Sequence, residues 1–455
     1  MISTLLASEL SNRINSQYST IIQFFDSELT VISHQSTVNS QQSTVNNNFL
    51  DGSFELQIIV EGWRFIYHSY CVANQFQLLE MLDRPRGQIE LFHRDMPYID
   101  AAWETKFSLF DRPNETLLRS INSPAVNQSA DVTLRMYCPW DFSASSSAAT
   151  WVFAATEWGI VTSTVLQAMG VKSIAETGVN SETKIITPSA WSKAGLIRSG
   201  VEADRIAVVP LGIDPKIYYP VSGDRRQSLR ESLGWSNYFI FLNIGGQTDR
   251  KGIRPLLKAF AAVVDKYPHA RLVLKGSELL YPSRHEIAEA CRVVLNDGER
   301  ARVLPRLIYT GGQLSFAQIA EFYQAADAYV SPYLAEGFNL PVLEAAACGL
   351  PVICTEGGPT DDFTRSNFAL QIESKFMAVA SQGETLFILA PEWEHLTDLM
   401  RLAIEQPGIA AKARVAGPGF VAQNFTWRRV VDRLLEVMGG DKKREKKSIF
   451  EPIIL

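Results

Sequence analysis

From Glu55 onward, short apolar runs alternate with stretches of helical periodicity. Leu56–Val60, Ile89–Phe92, Val132–Met136, Trp151–Ala155, Lys184–Thr187 and Ile206–Val209 read as strands, with amphipathic stretches such as Val72–Leu82 between them. A polar stretch, Val221–Gln227, separates these from a second series: Tyr238–Ile244, Arg271–Leu274, Leu307–Tyr309, Ala328–Val330 and Val352–Cys354. The helix predicted after the first of these, Ile253–Lys266, gathers Ile253, Leu256, Leu257, Phe260, Val263 and Val264 on one face. Strand, helix, strand at this rhythm predicts parallel sheets covered on both faces. The expected class is therefore α/β, with two doubly wound, Rossmann-like lobes (55–215 and 225–425) joined near Asp214–Gly223. Ligands of such sheets sit beyond the carboxyl ends of the strands, so two facing lobes place a cleft between them.

The two ends of the chain read differently. Residues 1–50 are rich in Ser, Asn, Gln and Thr, and QSTVN occurs at Gln35–Asn39 and again at Gln42–Asn46. Too little apolar surface is available there to offset chain entropy, so this extension is expected to be largely disordered, with Ser33–Asn48 as a linker. Ile2, Leu5, Leu6, Leu10 and Ile14 suit one short amphipathic helix before it. Residues 426–455 open on a helical segment, Thr426–Met438, followed by DKKREKK and SIFEPIIL.

Composition narrows the function. The chain has 455 residues, 20% of them charged, with a formal net charge of -6. That mild acidity argues against a nucleic-acid binder, whose footprint is a basic excess. The five cysteines form no CxxC pair, which excludes zinc ribbons and disulfide scaffolds. No long charge-free apolar stretch occurs, and Glu9 interrupts what would be the core of a signal peptide, so a cytoplasmic protein is the expectation. The basic run Lys442–Lys447 reads first as a solvated tail. It is also a candidate for peripheral attraction to anionic lipid at the inner face of the membrane.

Two constellations carry chemistry. The first is Asn243-Ile-Gly-Gly-Gln-Thr-Asp-Arg-Lys-Gly252, between a strand and an amphipathic helix. Glycines let the backbone approach a ligand, and the following helix aims its free N–H groups at the same spot. Arg250 and Lys251 add full positive charge. The second is SPYLAEGFNLPVLEAAACGLPVI, from Ser331 to Ile353, in which Pro341 suits a helix start. Glu336 on the loop and Glu344 one turn into the helix can face one pocket, where carboxylates accept from sugar hydroxyls.

EGFNLPVLEAAACGLPVI resembles the EGFGLPxLEAMACGxPVI stretch of family 4 nucleotide-sugar glycosyltransferases, which have the GT-B fold, including their paired glutamates. ITPSAWSKAGLIRSGV (Ile186–Val201), IAVVPLGIDPKIYYP (Ile206–Pro220) and YQAADAYVSPYLAEGF (Tyr323–Phe338) resemble further segments of that family in the same order. The resemblance covers roughly 186–427 and is less specific over 55–183. It implies a retaining sugar transfer from a nucleotide-diphosphate donor to a glycan or lipid-linked acceptor, with no metal and no other cofactor. No Asp-x-Asp occurs anywhere in the sequence.

Carried over by position, Lys251 binds the donor diphosphate, and Glu336 contacts the donor sugar. Backbone groups of Phe338, Asn339 and Leu340 line the sugar and phosphate, and Glu344 holds the ribose. Gly62, after the first strand, resembles the glycine that approaches the diphosphate. Gly246 stands where many members carry Arg, a charge that Arg250 is expected to supply in part, and Asn339 replaces the usual Gly. Catalytic and acceptor-side candidates from the front lobe are His93 and Glu157, with His68, Arg94 and Asp95 beside them. Two rival readings are a GT-B-fold UDP-sugar epimerase and a non-catalytic nucleotide-sugar-binding protein.

Overall fold

The computed structural model describes residues 55–439, apart from 104–106, 180–181 and 382. The polar extension 1–50, with the short helix expected in it, and the basic run Lys442–Lys447 lie outside the described residues.

The front sheet contains β1 (Leu56–Gly62), β2 (Ile89–Asp95), β3 (Val132–Met136), β4 (Ala149–Phe153), β5 (Lys184–Thr187) and β6 (Ile206–Val208), in the order β2-β1-β3-β4-β5-β6. The rear sheet contains β7 (Phe239–Ile244), β8 (Ala270–Lys275), β9 (Leu307–Thr310), β10 (Ala328–Ser331), β11 (Val352–Thr355) and β12 (Ala369–Ile372), in the order β12-β11-β10-β7-β8-β9. Every pairing in both sheets is parallel. Helices on both faces bury strands such as β11 along their whole length, and this produces the continuous apolar runs. Each large apolar side chain taken fully out of water, such as Phe241 or Leu272, contributes on the order of 2 kcal/mol before entropy is counted.

Strand order reverses between β1 and β3 in front and between β7 and β10 behind. The loops leaving those strands diverge there and open a crevice. The polar stretch at Val221–Gln227 is not a bare linker, since it runs into a helix, Gly223–Ser232, capped by the Ser222 hydroxyl.

Two features tie the lobes together. The helix Trp427–Gly439 leaves the rear lobe and packs on the front-lobe helix Ser69–Leu82. There Trp427 stacks on Phe76 at 5.5 Å and Asp432 pairs with Arg84 at 2.6 Å. A hairpin inserted after β12, β13 (Ser374–Ser381) with β14 (Glu384–Pro391), reaches the front lobe. Phe387 N–H donates to Trp158 O (2.9 Å), and Glu384 accepts from Ser163 N and Oγ (2.8 Å each). Among the described residues no helix is long and apolar enough to cross a membrane.

Candidate active site

The loop after β7 is held in place from below. Asn243 Nδ2 donates to Val330 O at 2.7 Å, and Gln247 Nε2 donates to Asn243 Oδ1 and Gly245 O, both at 2.9 Å. A short turn, Asp249–Lys251, then enters the helix Ile253–Lys266 through Gly252, whose φ is +79°. A β-carbon at Gly252 would lie 1.8 Å from Pro332 O, so only glycine lets this loop sit on the exit of β10. Arg250 and Lys251 are thereby fixed at the helix N-terminus, beside its free amides.

The exit loop of β10 closes over them, with Leu334 N–H donating to Arg250 O at 2.8 Å. Glu336 is 3% exposed. Its carboxylate pairs with Lys251 Nζ and lies 3.4 Å from Arg250 Nη1. Phe338 packs its ring on Phe363, with centroids 4.8 Å apart. Asn339 sits at φ +74°, the left-handed region that glycine and asparagine adopt most readily. This accounts for Asn in place of the family's Gly. Its side chain turns to Ser331 Oγ at 2.9 Å.

One turn into the helix Leu340–Ala347, Glu344 accepts from Tyr323 OH at 2.8 Å. Burial pushes its carboxyl up to about 7, against the pull of that hydrogen bond.

The front lobe supplies the opposite wall. Glu157, in the loop after β4, places Oε1 3.0 Å from Arg250 Nη1. Ser189 and Ser192 donate to Gly337 O at 2.6 and 3.2 Å, and Ala190 N–H donates to Asp362 at 2.8 Å, so the lobes are in contact around the site. His68 caps the helix Ser69–Leu82, its Nδ1 accepting from Tyr70 N–H at 3.3 Å, which leaves the proton on Nε2. Its ring stacks on Trp103 at 5.5 Å. Burial, then the charges of Arg250 and Lys251, push the imidazole down to about 4, so it is neutral at physiological pH.

A cavity of about 390 Å³ lies between these walls, lined by Glu157, Gly246, Arg250, Lys251, Glu336, Phe338, Asn339, Leu340 and Glu344 together. Four expected members, Gly62, His93, Arg94 and Asp95, do not belong to that lining. His93 is an interior residue of β2, 1% exposed, with Nε2 3.0 Å from Asn74 Nδ2. Burial pushes its imidazole down to about 3, which suits a neutral acceptor inside the front lobe. Gly62 is the last residue of β1, packed against Asn74 and Met136, and it is the end of the loop it opens, Tyr67 and His68, that reaches the cavity. Arg94 and Asp95 also remain in β2, Arg94 paired with Glu61 and Asp95 with Arg64.

Sequence reasoning did not single out Tyr323, Tyr281 or Lys275, all of which touch the site. Tyr281 covers Gly246, where a β-carbon would meet its ring at 2.8 Å. The signal for Lys275 was its place, a charged residue closing an apolar parallel strand at its carboxyl end.

A family model described as Glycosyl transferases group 1 matches residues 238–380. Mannosylfructose-phosphate synthase of Agrobacterium fabrum is 24% identical over 242 residues, 53% of this chain and 49% of that protein. The GDP-mannose-dependent monoacylated alpha-(1-6)-phosphatidylinositol monomannoside mannosyltransferase of Corynebacterium glutamicum is 23% identical over 323 residues, 64% of this chain and 76% of that protein. The chain thus spans about half the length of the first relative and about three quarters of the second. A crystal structure of Anabaena Alr3699/HepE in complex with UDP-glucose superposes with a TM-score of 0.59 at 15% identity, covering 85% of this chain and 100% of that one. That likeness spans both sheets and shows the GT-B fold, and the match to the Glycosyl transferases group 1 model falls on the rear sheet, its exit loops and the start of the hairpin.

Proposed function

We propose that the protein is a retaining, metal-independent glycosyltransferase that moves a sugar from a nucleotide-diphosphate donor to a glycan or glycolipid acceptor, acting in the cytoplasm. The observation that carries this reading is the placing of Arg250 and Lys251 at a helix N-terminus, opposite buried Glu336, inside a cleft whose far wall holds Glu157 and His68.

Breaking the anomeric C–O bond leaves negative charge on the diphosphate. At an effective dielectric of about 20, a cation about 4 Å away offsets that charge by roughly 4 kcal/mol before desolvation. The helix terminus adds about 1 kcal/mol. Each 1.4 kcal/mol or so gained only as the charge develops is about tenfold in rate. These groups are fixed before the reaction, so little reorganisation is required.

Glu336 is engaged by Lys251, which suits holding sugar hydroxyls rather than attacking the anomeric carbon. An ion-pair-like departure and entry on the same face then retains configuration without a protein nucleophile. Glu344 is placed to accept from the ribose. Neutral His68 keeps an Nε2–H to donate, and Glu157 is the acceptor-side carboxylate. Lobe closure through Ser189, Ser192 and the hairpin excludes water from the activated sugar.

The front wall includes Tyr70, Phe153, Trp158, Ile160 and Val161, an apolar lining that suits an acceptor with an apolar part. The lipid substrate in the name of the Corynebacterium relative supports the same reading.

A thermal-shift screen of UDP-, GDP- and ADP-sugars tests the proposal. A donor present at about 100 times its Kd stabilises by about 2.7 kcal/mol, and NMR of the product then reports the anomer. Absence of a shift from every donor, or an inverted product, overturns it. Donor binding followed by release of free or epimerised sugar with no acceptor favours the epimerase.

A further inference from the structure

Three cations line the cleft: Arg250, Lys251 and Lys275. The first two face carboxylates, Arg250 facing Glu157 and Glu336, and Lys251 facing Glu336. Lys275 differs. It closes β8, is 5% exposed, and its ammonium donates to the carbonyl of Gly276. Among the described residues no carboxylate pairs with it.

A buried ammonium without a counter-charge is costly, and the chain keeps it beside the loop that approaches the ligand. Lys275 pairs in register with Ile244 of β7, and its carbonyl accepts from Gly245 N–H at 2.9 Å, so its stem starts next to Gly246. Gly246 is the position where the resemblance calls for an arginine. Tyr281 fills the space over it, and Arg250 shares its charge with two carboxylates, so it replaces that arginine only in part.

We propose that Lys275 is a third cation of the donor site, its ammonium binding a phosphate oxygen of the nucleoside diphosphate and supplying from β8 the charge absent at Gly246. Burial draws the lysine down to about 8, the behaviour of a cation whose counter-charge arrives with the ligand. The inference rests on the donor site proposed above and deepens it.

The test compares the full chain with Lys275→Met and Lys275→Arg by calorimetry against UDP, GDP, ADP, their nucleosides and inorganic pyrophosphate. The Met variant is expected to bind the preferred diphosphate at least tenfold more weakly and the nucleoside within about twofold of the parent, with an unchanged or higher Tm. The Arg variant recovers most of the loss. Unaltered diphosphate affinity overturns the assignment. So does an equal loss for the nucleoside, which places the ammonium on the base, and so does a fall in Tm that accounts for the loss, which marks a structural lysine. If the parent protein binds no diphosphate at all, the donor-site reading itself fails and takes this assignment with it.

Discussion

Glu157 on the front lobe and Arg250 on the rear lobe meet across the cleft, Oε1 to Nη1 at 3.0 Å. The Glu157 side chain is 41% exposed, so solvent and salt screen the pair and it holds the lobes only lightly. It does occupy a guanidinium that a diphosphate would claim. Removing the Glu157 charge is therefore expected to leave nucleoside diphosphate affinity unchanged or up to severalfold tighter, while turnover falls. Lys251→Ala and Arg250→Ala remove a charge-assisted contact of roughly 1.5–3 kcal/mol and should weaken binding about tenfold to a hundredfold. That loss grows at low ionic strength. Calorimetry of Glu157→Gln and the two Ala variants at two salt concentrations separates these roles. A Glu157→Gln variant as weak as Arg250→Ala would instead place Glu157 on the donor.

Glu344 makes stability depend on pH. Its carboxyl is raised from 4.5 to about 7 by burial, so between those values the native chain holds a proton that the unfolded chain has lost. The associated stability is fully present below about pH 4.5 and is lost as pH rises through about 7, a contribution on the order of 3 kcal/mol. Glu344→Gln should flatten that dependence. Denaturant unfolding of both proteins at pH 5 and pH 8 measures it, and parallel slopes would contradict the assignment. Tyr323→Phe, which strips the buried carboxylate of its 2.8 Å donor, is expected to destabilise by about 1–3 kcal/mol at pH 8 and less at pH 5.

Much of this arrangement was legible in the sequence where burial is continuous. Strands β3 and β5 and the helix Ile253–Lys266 begin and end where the apolar pattern does. Legibility failed where polar residues continue a buried strand. Glu61 pairs with Arg94 and Arg135, and this internal neutralisation lets β1 and β2 run past their apolar runs to Gly62 and Asp95. The apolar pattern ends at Val60, Phe92 and Leu274, which leaves Gly62, His93 and Lys275 just outside the strands they in fact continue. The hairpin and β12 were missed for another cause. β12 has only four residues, and the hairpin strands, though they carry the apolar runs Phe376–Ala380 and Leu386–Ala390, pair antiparallel with no helix between them and so fall outside the strand-helix-strand rhythm. Contacts such as Ser189 to Gly337 O join residues far apart in the chain through a backbone carbonyl, and no residue pattern encodes them.

The hairpin yields a further prediction. Glu384 receives both the amide and the hydroxyl of Ser163, tying the hairpin to the front lobe at the start of a short helix, Ser163–Ala168. Glu384→Ala should leave the melting of each lobe nearly unchanged while loosening closure. Hydrogen exchange at the Phe387 amide, which donates to Trp158 O, is expected to accelerate, and donor hydrolysis to rise relative to transfer. Exchange at Phe387 equal to that of the parent would show that the clasp depends on other contacts, such as Arg198 against the Phe387 ring at 5.0 Å.

Restoring the family's arginine is a sharper probe, because the structure says why it should fail on its own. A β-carbon at Gly246 would lie 2.8 Å from Cδ2 of Tyr281 and 3.1 Å from its Cγ, near the root of the ring rather than its mobile tip. Gly246→Arg alone must therefore displace Tyr281 and is expected to weaken nucleoside diphosphate binding despite the added charge. Overpacking of this kind typically costs about 1–3 kcal/mol. Gly246→Arg combined with Tyr281→Ala removes the obstacle and should bind at least as tightly as the parent. With a cation restored in the loop after β7, losing the one on β8 should matter less. Lys275→Met in the double variant is expected to lose only a few fold in affinity, against at least tenfold in the parent. The shortfall in additivity, read by calorimetry on the four proteins of the cycle, measures how far the two positions share one task. Fully additive losses would mean that Lys275 and the residue at 246 serve different parts of the ligand.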